Sequence, residues 1–216
     1  MLCLIAGMAY SQGQRGGPPP GAGGFGFQPP LGTTPKPAIP NAKPVRSCES
    51  LAMVALPHTT IESAAVDAAN PGICRVTATT THPPAGDKVT IWIAIPTSNW
   101  NGRFLGTGGG GFLGGMPAGV NQPVALGYAS GATDTGHEGG RGTFALDANG
   151  HLNWQAIRDN AHVGIHEMTV TGKALTEAMY GAAPRYSYFY GCSTGGRQGL
   201  MEAQPVSYTH LTLPTN

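Results

Sequence analysis

An α/β fold is what this sequence predicts, on three observations. Short β-branched and aromatic runs, Val89 to Ile95 (VTIWIAI), Arg103 to Leu105 and Tyr186 to Tyr190 (YSYFY), read as strands. Between the last two the apolar spacing shifts to threes and fours, with Ile157, Ala161, Ile165, Met168, Leu175 and Met179 on one helical face. Strands that alternate with helices build a sheet covered by helices. Third, glycine and proline supply 34 and 19 of 216 residues, which excludes a helical bundle or coiled coil and implies many loops and tight turns.

Taken in order, Pro96 closes the first strand and Trp100-Asn101-Gly102 is a turn signal. Arg103 opens a strand that runs into GTGGGG, Gly106 to Gly111. A short apolar run, Val124 to Ala129, leads to Thr133-Asp134-Thr135-Gly136-His137. One helical pattern then spans Trp154 to Tyr180, with Gly172 on its apolar stripe to permit close packing and Gly181 and Pro184 to stop it. The aromatic strand Tyr186 to Tyr190 meets GCSTGG and a second helical stretch, Arg197 to Gln204.

Charge and composition narrow the function classes. Charged residues are 11% of the chain, against about 25% in an average domain. Twelve Lys and Arg against eleven Asp and Glu give a net charge of +1, so no basic surface for a nucleic-acid backbone is expected. No run of about 18 apolar residues occurs, so no membrane-spanning helix is expected.

The ends read differently from the middle. Residues 1–11 (MLCLIAGMAYS) look like the back part of a secretory signal peptide, with Ala9-Tyr10-Ser11 as a small-x-small cleavage pattern. The expected localisation is therefore secreted or periplasmic. Residues 12–44 are a Gly/Pro-rich linker by composition, and the folded region is expected to start near Val45. Export favours disulfides. Cys48 and Cys74, 26 residues apart around one apolar segment, are paired on that basis, a link worth roughly 3 kcal/mol by loop entropy. Cys192 is then left without a partner in the mature chain.

Chemistry concentrates at Gly191-Cys192-Ser193-Thr194-Gly195, which matches G-x-S-x-G between an aromatic strand and a helical pattern. That setting is what a nucleophile elbow requires. Ser193 would project its hydroxyl above the sheet, and the Thr194 amide at the helix N-terminus would be the first oxyanion donor. The bland alternative is a helix-capping serine. The glycine loop directly after a strand suits the second donor, with Gly110 and Gly111 beside Phe112 as candidates. Gly106, Gly108 and Gly111 also satisfy G-x-G-x-x-G. The following FLGGMPAGVNQP is poor helix material, so dinucleotide binding is disfavoured. His162 and His166 lie four apart with Glu167 adjacent, and Asp134, His137 and Glu138 cluster in a turn. Each set could hold a cation, but a solvated helix face and a turn that braces the active-site loops are the preferred readings. No metal or cofactor is expected in this chain.

WNGRFLGTGGGGF, GYASGATDTGH, HEMTVTGKAL and SYFYGCSTGGRQGLMEAQ, in this order, resemble the tannase and feruloyl esterase family. The resemblance runs from about Cys48 to Gln204. It implies the N-terminal part of an α/β-hydrolase fold over residues 45–204 and a serine carboxylic-ester hydrolase acting on small aromatic, phenolic-acid esters through an acyl-enzyme. Carried over, Ser193 is the nucleophile of a Ser-Asp-His triad. Thr194 and one glycine of Gly109 to Gly111 form the oxyanion hole. Cys192 matches the family's cysteine, whose disulfide partner beside the catalytic histidine is expected to be absent from this chain. The family's lid domain, with its calcium, and the triad Asp and His are likewise expected outside it. Residues 205–216 (PVSYTHLTLPTN) depart from the family pattern and read as a non-native tail, with His210 not the base. Little activity is expected of the chain alone. The competing reading from another class is a non-catalytic ligand- or glycan-binding module.

Overall fold

The computed structural model describes residues 3–5 and 34–204. The rest of the segments read as signal peptide, linker and tail (residues 1–2, 6–33 and 205–216) lies outside the described residues. Seven strands form one mixed sheet: β1 (Cys3–Ile5), β2 (Thr59–Val66), β3 (Ile73–Thr80), β4 (Val89–Pro96), β5 (Arg103–Thr107), β6 (Ala129–Thr133) and β7 (Tyr186–Cys192), in the order β1-β7-β5-β6-β4-β3-β2. The middle three, β7, β5 and β6, are parallel, and the pairs toward both edges are antiparallel.

Among the described residues four α-helices accompany the sheet: α1 (Asn121–Ala125), α2 (Trp154–Arg158), α3 (Gly164–Tyr180) and α4 (Thr194–Glu202). The path from β5 to β6 steps one way, and the path from β6 to β7 returns across β5 to its other side. Such a reversal marks the carboxyl ends of β5 and β7 as the place where open α/β sheets hold ligands. Both the glycine loop and Ser193 follow those ends.

The core sits between α3 and the sheet. Ile165, Met168, Leu175 and Met179 are buried against Ile91, Ile93, Phe104 and Phe189. Gly172 is a contact point of this layer, because a Cβ there would lie 2.5 Å from the Phe104 ring. On the opposite side of the packing, Met168 Sδ would stand 2.4 Å from a Cβ on Gly131 of β6. Gly181 ends α3 in the left-handed conformation, φ 66°. Cys48 and Cys74 form a disulfide with Cα atoms 5.5 Å apart, tying the segment before β2 to β3.

Three sequence expectations are corrected. The single helix over Trp154–Tyr180 is two helices joined by a π-turn, Asp159–Val163. The wider turn shifts the helical register, so Asp159 and Asn160 point inward where an apolar stripe is interrupted. The linker reading also fails over its last residues: Ala38 N–H donates to Asn101 O, Arg103 donates to Lys36 O, and Ile39 packs on the core. The body thus begins before Val45. Third, Cys192 is disulfide-bonded within this chain, and no described cysteine is free. The hairpin β2–β3 is rich in Thr and Ala, with β2 largely exposed and β3 buried or half-buried, and its sequence shows too little apolar contrast to stand out.

Candidate active site

The chain leaves β7 and enters α4 through one residue, Ser193, at φ 58° and ψ −117°. A side chain in that region costs roughly 1–3 kcal/mol and persists only where the surroundings impose it. Here two glycines impose it: a Cβ on Gly191 would lie 2.4 Å from the carbonyl carbon of Gly195. Strand and helix therefore fold back to backbone contact, and Ser193 is left exposed at the apex.

The glycine loop after β5 packs directly on this turn. Gly108 N–H donates to Tyr190 O at 2.9 Å, and Gly195 N–H donates to Gly109 O at 2.9 Å. A Cβ on Gly108 would lie 2.7 Å from the Gly195 Cα. The Thr194 hydroxyl donates to Gly111 O. Fully buried Gln198, one turn into α4, accepts from Gly109 N–H at 3.1 Å and donates to Gly114 O at 3.0 Å, holding both ends of the loop. These bonds engage the Gly109 amide. Gly110 faces open space. No helix opens at Gly111: the next helical turn is Pro117–Val120, so the loop lacks the form of a dinucleotide site.

A polar brace stands behind the loop. Asp134 Oδ1 accepts from Thr90 N–H and Gly136 N–H. His137 Nε2 lies 2.7 Å from Phe112 O, which also accepts from Asn160 Nδ2 at 3.1 Å. Arg197 of α4 donates to Ala161 O at 2.7 Å and Asn160 O at 2.9 Å. Burial lowers the Arg197 pKa and raises that of Tyr190, both beside the elbow. The π-turn, the loop and α4 are thus one hydrogen-bonded unit. The sequence alone does not single out Asn160, Arg197 and Gln198; its only signal is two long polar side chains one glycine beyond G-x-S-x-G. His162 is exposed, and neither it nor His166 joins a metal-capable group among the described residues.

A family profile described as tannase and feruloyl esterase matches residues 74–208, more than half of the chain. The chain is 42% identical over 154 residues to a probable feruloyl esterase of Arthroderma benhamiae, covering 68% of this chain and 27% of that protein. It is 38% identical over 138 residues to a tannase of Aspergillus oryzae, covering 61% and 23%. Among solved structures, feruloyl esterase B from Aspergillus oryzae superposes with a TM-score of 0.63 at 29% identity, over 74% of this chain and 34% of that one. The chain spans about a quarter of the length of these curated relatives. With its exposed serine at a strand–helix turn and that turn packed on a glycine loop, the chain belongs to the tannase and feruloyl esterase family.

Proposed function

We propose that this chain carries the nucleophile and the oxyanion hole of a serine carboxylic-ester hydrolase that acts on aromatic, phenolic-acid esters. The observation that carries the reading is the backbone at Ser193: a non-glycine residue at φ 58°, exposed, at the head of a nine-residue helix and against the glycine loop. Such strain is retained where geometry serves chemistry.

In this reading a histidine base supplied by the rest of the protein takes the Ser193 proton as Oγ attacks the ester carbonyl. The oxyanion is met by the Thr194 amide and by Gly110 or Gly111, with the N-terminal end of α4 adding its dipole. Collapse expels the alcohol and leaves the acyl group on Ser193. Water then attacks the acyl-enzyme, the acid is released and Oγ recovers its proton. The names of the relatives, feruloyl esterases and a tannase, support the substrate class. Export, to the periplasm or the exterior, belongs to the same reading, and the Cys48–Cys74 disulfide supports it. Because the chain covers about a quarter of its relatives, low turnover by the chain alone is part of the proposal.

The test is hydrolysis of methyl ferulate and methyl gallate by the complete protein that carries this sequence. Ser193→Ala is expected to lower kcat by roughly 10⁴-fold or more. Reversible binding of uncleaved ester, unaffected by that substitution, would favour a non-catalytic binding module instead.

A further inference from the structure

A second cluster of chemistry-bearing side chains lies away from the serine. His82 and Asp87 sit on the segment between β3 and β4, and Asp159 opens the π-turn. His82 Nδ1 lies 2.5 Å from Asp87 Oδ2 and 3.8 Å from Asp159 Oδ1. One ligand atom from each of the three falls within 4.8 Å of the others.

The environment of these atoms is what makes the cluster more than an ion pair. Asp159 is 1% exposed. Its Oδ1 accepts from Gln155 Nε2 at 2.8 Å, while its Oδ2 is buried with no hydrogen-bond partner. A buried carboxylate oxygen without a partner costs free energy that a cation would offset. Asp87 Oδ1 is fixed by the His82 backbone N–H at 2.9 Å, which leaves its Oδ2 facing the imidazole. The other ring nitrogen, His82 Nε2, is also buried without a hydrogen-bond partner, and Glu167 Oε1 stands 3.8 Å from it. Three carboxylates surround one imidazole, an excess of negative charge.

We propose that His82, Asp87 and Asp159 form a binding site for a divalent transition-metal ion of the zinc class. Ligand bonds of about 2.0–2.2 Å set one imidazole nitrogen and two carboxylate oxygens roughly 3.4 Å from one another, so the Asp87 carboxylate swings about 1 Å away from His82 Nδ1 to admit the ion, while Asp159 Oδ1 is already near that spacing. The imidazole selects against calcium and magnesium, which take oxygen donors. Nδ1 is the ligand atom, so Nε2 carries the proton and turns it toward Glu167, the carboxylate–histidine–metal arrangement that orients a ligand ring. Gln155 plays the same orienting part for Asp159. The ion pins the β3–β4 segment to the π-turn. Asn160, the next residue of that turn, holds Phe112 O and Arg197. The three ligands escaped the sequence reading because 72 residues separate Asp87 from Asp159, so no short spacing motif exists.

The experiment is isothermal titration of the EDTA-treated full chain with ZnCl₂, alongside CaCl₂. One zinc per chain is expected, with calcium at least tenfold weaker. Asp159→Asn and His82→Gln are each expected to weaken zinc at least tenfold. Exposed His58, as His58→Gln, serves as the control that leaves affinity unchanged. Cobalt(II) added to the unsubstituted chain supplies a readout independent of the variants. Intense visible bands of a four-coordinate nitrogen and oxygen site, displaced by zinc, support the site. The weak spectrum of the hydrated ion overturns it. So do zinc affinity that both substitutions leave intact in folded protein, and calcium binding as tight as zinc.

Discussion

The hydroxyl of Thr194 donates to the backbone carbonyl of Gly111, so the residue after the exposed serine is tied to the loop proposed to complete the oxyanion hole. The bond uses the side chain and leaves the Thr194 amide at the helix N-terminus. Thr194→Val removes the tie and keeps the amide. A hydrogen bond of about 1 kcal/mol corresponds to roughly fivefold in a local opening equilibrium. Faster amide exchange by about that factor over Gly110–Leu113 is the expected outcome, with Thr194→Ser close to the parent chain.

The glycines of the elbow and of the loop differ in what surrounds them. A methyl on Gly191 meets Gly195 backbone at 2.4 Å, whereas a methyl on Gly110 meets nothing within 4 Å. Gly191→Ala is expected to lower stability by about 3 kcal/mol or more, because backbone cannot yield as a side chain can. Gly110→Ala is expected to change it by about 0.5 kcal/mol or less. Denaturant unfolding of the two variants checks the contrast.

Strain at Ser193 yields a stability gain on its removal. Ser193→Gly suits φ 58° and is expected to stabilise the chain by roughly 1 kcal/mol, after the entropy that glycine adds to the unfolded state. Ser193→Ala keeps the Cβ and is expected to gain little. Equal stabilities for the two variants in calorimetry would contradict imposed strain.

Glu202, at the end of α4 and 3% exposed, supplies a pH dependence. Burial is the largest influence and pushes its carboxyl up to about 7 from 4.5, against smaller opposing effects of the Thr169 side chain and the Lys173 charge. The folded chain then binds more protons than the unfolded chain between about 4.5 and 7. Its contribution to stability is present at low pH and declines as pH rises through that window. Glu202→Gln is expected to be more stable than the parent at pH 8, by up to about 3 kcal/mol, with the difference vanishing near pH 4. Thermal unfolding at the two pH values reads it.

The central strands and the elbow were legible because their signals are local. YSYFY is a β pattern, and G-x-S-x-G behind it needs no distant residue to be recognised. The apolar stripe from Ile165 to Met179 likewise carries its own period. What stayed hidden depends on partners far along the chain. Gln198 reads as an ordinary helix residue until Gly109 and Gly114, more than eighty positions earlier, are seen to bond it. The inward turn of Asp159 and Asn160 follows from one π-turn, which local spacing does not encode. Ile39 lies in a proline-rich stretch whose composition suggests a linker, yet a Cβ on Gly102 would lie 2.9 Å from its Cγ1, so packing overrides composition there.

The decisive measurement is the identity of the acylated atom. The complete protein carrying this sequence, quenched in acid during turnover of methyl ferulate or treated with a fluorophosphonate, is digested and read by mass spectrometry. The expected result is one adduct on the peptide that contains Ser193, absent in Ser193→Ala. An adduct on another residue, or ester hydrolysis that survives Ser193→Ala, would contradict it.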